Sequence, residues 1–168
     1  MIGVVGKGRM ADVGGGISIR PFRPTDLGEV YEIERASFPS PWPKFYFRLL
    51  HLKNPDGFLV AEVDGRIVGY IVVDIEHRIE LQNLKLKRYG HILNLAVHRD
   101  FRRRGVATAL IRRAFKHLRD VGAEGVWLEV RESNLPARRL YSKLGFKVTG
   151  RITRYYLNED AIVMERRL

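Results

Sequence analysis

The chain has 168 residues, 45% of them hydrophobic and 29% charged, which is enough for one domain with a core and too few for two ordinary ones. Lysine and arginine total 30 against 19 acidic residues, a formal charge of +11, so an anionic partner is expected. With no cysteine, a disulfide scaffold, a thiolate nucleophile and a cysteine-based zinc site are excluded, and a reducing, cytoplasmic setting is expected.

Residues 1–16 contain six glycines and little to bury, and read as a flexible tail ahead of a domain over residues 17–168. Gly3-Val4-Val5-Gly6-Lys7-Gly8 has the glycines of a phosphate loop, without a strand before it or a helix after it; Met10 is an alternative start. From Ile17 the pattern alternates as a strand, and Pro24-Thr25-Asp26 introduces a helix carrying Leu27, Val30, Tyr31, Ile33 and Glu34. That helix stops before Pro39. The Phe38-Pro39-Ser40-Pro41-Trp42-Pro43 turn gives way to a second short helix with Phe45, Phe47, Leu49 and Leu50. Phe58–Val63 and Ile67–Ile75 form a hairpin turned at Asp64-Gly65. Within it, Ile67–Val73 is the longest apolar run, far below the ~18 residues that cross a bilayer; a soluble protein with no membrane partner is expected.

The basic stretch from Gln82 to Arg88 breaks the strand pattern and reads as a loop before a strand from about His91 to Val97. Then the period changes: Val106, Leu110 and Ala114 recur at helical spacing up to Gly122. A buried strand over Val126–Val130, a helix from about Leu135 to Leu144, a strand after Gly145 and a last strand over Ala161–Glu165 complete the chain. The fold class is α/β (α+β), a single domain with a mixed central sheet of about seven strands in the order β-α-α-β-β-β-α-β-α-β-β. The strand–helix–strand unit from His91 to Val130 should pair in parallel with a right-handed crossover.

Between the His91 strand and its helix stands Arg102-Arg103-Arg104-Gly105-Val106-Ala107-Thr108. First-turn amides of a helix lack intrahelical acceptors and sit at the positive end of its dipole. Gly105 lets backbone approach a ligand, Ala107 keeps the next turn narrow, and the arginines offset phosphate charge, so a diphosphate fits. A solvated basic helix start is the plain alternative.

Arg102-x-x-Gly105-x-Ala107, following Leu95-Ala96-Val97, resembles the R/Q-x-x-G-x-G/A signature of the GNAT acetyltransferase superfamily. Leu128-Glu129-Val130-Arg131-Glu132-Ser133-Asn134, with Ala137, Leu140-Tyr141 and Leu144-Gly145-Phe146, is similar to a run in its amino-terminal acetyltransferase branch. His91, the turn at Trp42 and Asp160-Ala161-x-x-Met164 resemble the archaeal members and the bacterial ribosomal-protein-alanine acetyltransferases. One departure is Arg99, where many relatives have proline. The resemblance covers Ile17 to the C-terminus and implies a GNAT fold that moves an acetyl group from acetyl-CoA to the α-amino group of proteins by direct attack in a ternary complex. It further implies that Arg102 to Thr108 hold the pyrophosphate, that a bulge at Leu95, Ala96 and Val97 turns amides to the pantetheine and thioester, and that Asn134, Tyr141, Ser142 and Lys143 complete the cofactor site.

An α-amino group with a pKa of about 7.7–8.0 is about one-tenth neutral at pH 7, whereas lysine at ~10.4 is neutral about once in a few thousand, so an N-terminal acceptor needs little base. Glu129 lies mid-strand among Trp127, Leu128 and Val130 beside the His91 strand, and the two side chains could share a water and remove the proton; a structural salt bridge and a backbone-satisfied histidine are the alternatives. Two such ligands without a third make a poor metal site, so no metal is expected. Tyr141 takes the place of the family's tyrosine near the coenzyme sulfur, where a phenol can donate to a departing thiolate. Asn134 also suits a helix N-cap. By the same resemblance Phe38, Pro39, Trp42, Leu95, Tyr155 and Tyr156 wall the acceptor site. Ser40 adds no charge there, so a small or apolar first residue is expected.

Two other readings compete. A lysine or small-amine acetyltransferase would share these motifs. With 22 arginines and 8 lysines, a nucleic-acid-binding module is possible in principle, but no helix-turn-helix, zinc finger or RNP-type aromatic strand is legible. Weak attraction to ribosomal RNA would suit an enzyme acting on nascent chains. One glutamine and abundant arginine are thermophile-like.

Overall fold

The computed structural model describes residues 11–13, 16–81 and 84–168. The glycine-rich stretch with Lys7 and Met10 lies outside them, and so does most of the expected tail. The end of that segment departs from the expectation: Ala11–Val13 (β1) pairs antiparallel with Ile17–Pro21 (β2) and adds a strand at the sheet edge. Then come Leu27–Ser37 (α1), Lys44–Lys53 (α2), Phe58–Val63 (β3), Arg66–Glu80 (β4), Lys85–Val97 (β5), Val106–Asp120 (α3), Ala123–Arg131 (β6), Leu135–Lys143 (α4), Lys147–Tyr156 (β7) and Glu159–Arg167 (β8). From β2 onward the order is the expected one. The sheet runs β1-β2-β3-β4-β5-β6-β8-β7, antiparallel throughout except for β5 beside β6.

The apolar spacing decides the layers. Val30 and Ile33 on α1 and Phe47 and Leu50 on α2 bury against Phe58, Tyr70 and Ala96 on one face of the sheet. On the other face Val106, Leu110, Ala114 and Leu118 of α3, with Tyr141 of α4, pack on Leu59, Ile71, Ile92 and Leu128. Alternation along β5 thus sends Ala96 to one core while Leu95 and Val97 pack against the other. Asp64 and Gly65 have φ of 50° and 76°, the left-handed pair that a two-residue hairpin requires.

The basic stretch expected as a loop is mostly strand. β4 continues to Glu80 and β5 begins at Lys85, with Ile79 opposite Leu86 and Glu80 opposite Lys85. Charge composition hides this ladder because opposite charges face each other across it: Lys87 Nζ lies 3.1 Å from Glu80 and 2.8 Å from Glu124.

Two irregularities in β5 create the functional geometry. Val72 stands opposite Asn94 and Val73 opposite Ile92, so Leu93 is an extra residue that bends the strand. Pairing with β6 ends at Ile92 and Leu128, after which β6 continues along β8 as far as Arg131. The C-terminal parts of β5 and β6 therefore part, and parallel strands that separate at their carboxyl ends leave a crevice there.

Candidate active site

The crevice is a cleft of about 580 Å³. Its walls include Leu95, Ala96 and Val97 of β5, Glu129 of β6, Arg102 and Ala107 of the basic turn, Asn134 and Tyr141 of α4, Phe38, Pro39 and Trp42 between α1 and α2, and Tyr155 and Tyr156 of β7. Residues far apart in sequence thus converge on one cleft.

Glu129 and His91 meet directly. His91 Nε2 lies 2.6 Å from Glu129 Oε2, so the expected bridging water gives way to a direct hydrogen bond between the two groups. His91 Nδ1 lies 3.0 Å from Glu76 Oε1, and Glu76 Oε2 accepts the Trp127 indole N–H at 3.1 Å. The imidazole is thus held between two carboxylates, one on each ring nitrogen. The Trp127 ring stacks on the imidazole with centroids 3.8 Å apart. His91 itself stands behind Glu129 and does not border the cleft. At the front, Tyr155 Oη donates to Glu129 Oε1 at 3.3 Å, and Tyr156 Oη lies 3.4 Å from the Glu129 carbonyl. Burial, then the Glu129 charge, raises the Tyr155 phenol above its usual range, while burial and Tyr155 push Tyr156 up to about 12; both remain hydrogen-bond donors near neutral pH.

The turn before α3 leaves its first backbone amides uncapped. Arg103 and Gly105 have φ of 64° and 83°, Gly105 is the N-cap of α3, and no side chain caps the helix. A Cβ added at Gly105 would meet nothing within 4 Å, so the approach to the first-turn amides is open. Arg102 Nε donates to the Val97 carbonyl at 3.0 Å, tying the turn to the end of β5. Val106 places its side chain in the core, leaving only backbone for a ligand. Arg103 and Arg104 are exposed, with Arg104 over the Phe101 ring, and Thr108 is half-buried on the first turn. His98 N–H donates to Val68 O across to β4; by alternation Val97 turns its N–H toward the edge that β6 has left. The bulge sits at Leu93, earlier than expected, and the Leu95 N–H is accepted by Asn94 Oδ1 at 3.0 Å. An open helix start, a left-handed glycine and a cleft leading from them fit the diphosphate and pantetheine of acetyl-CoA.

Tyr141 is buried, yet its hydroxyl borders the cleft and bonds to no group of the described residues. Burial, with Tyr156 adding to it, pushes this phenol well above its usual range, so it stays protonated. The Asn134 side chain accepts the Ala137 N–H at 3.2 Å: it is an N-cap and also lines the cleft. Ser142 and Lys143 are exposed beyond the cleft. Lys143 instead joins Arg112, Arg119, Lys147, Arg166 and Arg167 around a second cavity of about 1020 Å³.

Several residues in these networks are not singled out by sequence. Glu34 is 1% exposed and borders the cleft, while Glu76, Trp127, Tyr70 and Asn94 support the two carboxylates. Their signal was faint: a polar residue inside an apolar strand (Asn94) and an acid on the buried stripe of a helix (Glu34).

Comparison with known proteins gives a consistent picture. A model described as the acetyltransferase (GNAT) family matches residues 27–146. The N-alpha-acetyltransferase of Sulfurisphaera tokodaii is 44% identical over 153 residues, covering 87% of this chain and 90% of its own. The crystal structure of Ard1 from Thermoplasma volcanium superposes with a TM-score of 0.83 at 33% identity, covering 92% of this chain and 99% of that one. The ribosomal-protein-S18-alanine N-acetyltransferase from Escherichia coli has a TM-score of 0.73 at 27% identity, over 90% and 93% of the two chains.

Proposed function

The chain belongs to the GNAT acetyltransferase family, and on that premise we propose how it works as a protein N-terminal acetyltransferase, with Glu129 taking the proton of the acceptor amine. Acetyl-CoA supplies the activated acetyl group. The Arg102–Thr108 turn holds its diphosphate, Asn134 steadies the pantetheine arm, and Ser142 and Lys143 lie toward the nucleotide end. The Val97 N–H polarises the thioester carbonyl.

Glu129 Oε2 is engaged with His91, so Oε1, beside Tyr155 at the cleft, receives the proton. The proton Glu129 gains passes on to His91 Nε2 as Nδ1 gives up its own to Glu76, whose side chain is 36% exposed and returns it to water, so one proton enters the relay and one leaves it. Tyr141, protonated at every working pH, donates a hydrogen bond to the leaving sulfur; its raised pKa makes complete proton transfer uphill, so it stabilises the thiolate as a donor. Phe38, Pro39, Trp42, Leu95, Tyr155 and Tyr156 enclose the first residue of the acceptor, and small or apolar first residues suit them. The α-amino group is preferred to lysine because this base is a carboxylate backed by an imidazole, adequate for an amine already partly neutral.

The observation that carries this reading is a single cleft that holds Glu129, backed from behind by His91, beside the open α3 start. Incubation with acetyl-CoA and paired peptides tests it: a peptide with a free amino terminus should be acetylated, and a blocked peptide carrying lysine should not. Preference for the blocked peptide would assign the enzyme to side-chain acetylation. Among the described residues no helix is long and apolar enough to cross a membrane, and cytoplasmic nascent chains are the substrates that match a weak attraction to ribosomal RNA through the second, cationic cavity.

A further inference from the structure

Glu34 is a carboxylate buried in the α1 layer with no ion pair among the described residues. Its Oε1 accepts the Trp42 backbone N–H at 2.8 Å. Its Oε2 accepts the Tyr70 hydroxyl and the Asn94 Nδ2 at 3.1 Å. Asn94 Nδ2 also reaches Tyr70 Oη at 3.0 Å, and its Oδ1 holds the Leu95 N–H. Four segments therefore meet at one group: α1, the acceptor-side turn, β4 and the residue following the β5 bulge. Burial and the Glu34 charge hold the Tyr70 phenol well above its usual range, so it never ceases to be a donor.

We propose that Glu34 is a positioning residue for the acceptor: one carboxylate fixes the Trp42 wall of the peptide pocket at a set distance from the bulged β5 segment that faces the thioester. This rests on the acetyltransferase reading above. The Trp42 ring is oriented against Tyr46 and Phe47, with centroids 5.0 Å and 5.8 Å away; Phe38 N–H at the start of the turn donates to the Glu34 carbonyl, and the Trp42 N–H bond to the Glu34 side chain ties down the turn's far end. All neighbours of Glu34 in this network are donors, so a neutral amide in its place must point its NH₂ at donors on one side and lose that bond. A shared anchor also implies coupling, because removing Asn94 and removing Glu34 break the same link.

Glu34→Gln tests the assignment. Calorimetry of a free-amino-terminus peptide titrated into the CoA-bound protein should show about tenfold weaker binding, the size of a lost charge-assisted hydrogen bond, with peptide KM rising in step. Affinity for CoA should stay within about twofold, since no cofactor residue touches Glu34. Asn94→Ala should weaken peptide binding less, and the double variant should be no worse than Glu34→Gln alone. If Glu34→Gln does not fold, Asn94→Ala decides: unchanged peptide affinity overturns the proposal. So does a Glu34→Gln variant with a lower Tm and wild-type peptide affinity, which is a purely structural role, or one with an unchanged peptide KM, kcat reduced a hundredfold or more and a shifted pH profile, which is the behaviour of a base. Failure of wild-type protein to acetylate any free amino terminus would instead sink the underlying reading.

Discussion

Glu129 and Glu34 border the same cleft from different layers, and the groups around them differ in whether they can give up or take a proton. Glu129 is hydrogen-bonded to His91, whose far nitrogen is joined to a part-exposed Glu76. Glu34 is surrounded by a backbone amide, an amide side chain and a phenol held above its normal range by burial and by Glu34 itself; none of them titrates near neutrality. A carboxylate joined to a titratable relay can cycle protons at every turnover. One saturated by permanent donors holds its neighbours in place instead.

The largest expected effect separates the two directly. Glu129→Gln should lower kcat by about 10²–10⁴, the usual contribution of a positioned general base, while leaving the affinity for acetyl-CoA within about twofold. Steady-state kinetics with each substrate varied in turn makes the check. A Glu129→Gln enzyme that keeps its kcat and loses peptide affinity would show that the two carboxylates have been assigned in reverse.

Tyr141 sharpens the comparison from the leaving-group side. Tyr141→Phe should reduce kcat by about ten- to a hundredfold, as for a lost hydrogen bond to developing charge. Because burial raises this phenol well above its usual range, the wild-type kcat should show no fall attributable to Tyr141 as pH increases to about 10. A pH–rate profile with a high-pH limb that disappears in Tyr141→Phe would contradict a permanently protonated donor.

Much of this arrangement was legible in the sequence because it rests on local chemistry. The period change at Val106 and the Asp64-Gly65 turn announce α3 and the β3–β4 hairpin, and Gly105 announces the open helix start. Glu129 and His91 were readable because parallel pairing of their strands follows from the crossover rule. What escaped was set by long-range register. The β5 bulge depends on how β4 pairs with it, so its position at Leu93 could not be read from Leu95-Ala96-Val97. Glu76 reaches His91 only because β4 extends to Glu80, where a run of cations suggested a loop. Glu34 looks like one more residue on a helix stripe until Trp42, Tyr70 and Asn94 are brought to it from three other segments.

Gly105→Val marks off the cofactor side from both carboxylates. A β-branched residue at φ 83° is strained by about 1–2 kcal/mol or more, and its side chain would stand where the open space above the α3 amides now lies. The KM for acetyl-CoA should rise about tenfold or more, with peptide KM and the pH profile at saturating acetyl-CoA unchanged. A rise in peptide KM alone would mean that this turn serves the acceptor.

The smallest effect lies farthest from either carboxylate. Arg112, Arg119, Lys147 and Arg167 are exposed around the second cavity, where one carboxylate, Glu165, stands opposite Lys147 across the β7–β8 ladder. Sequence spreads these cations from position 112 to 167, whereas the packing of α3 beside β7 and β8 gathers them. Replacing all four with glutamine should leave peptide acetylation in dilute buffer as it was, since none borders the catalytic cleft. If the cavity supplies the attraction to RNA, the variant should bind a labelled RNA duplex more weakly. Its plot of log affinity against log salt should flatten by up to about one unit per cation removed. An unchanged slope would place any such attraction elsewhere on the basic surface and leave this cavity without a part in it.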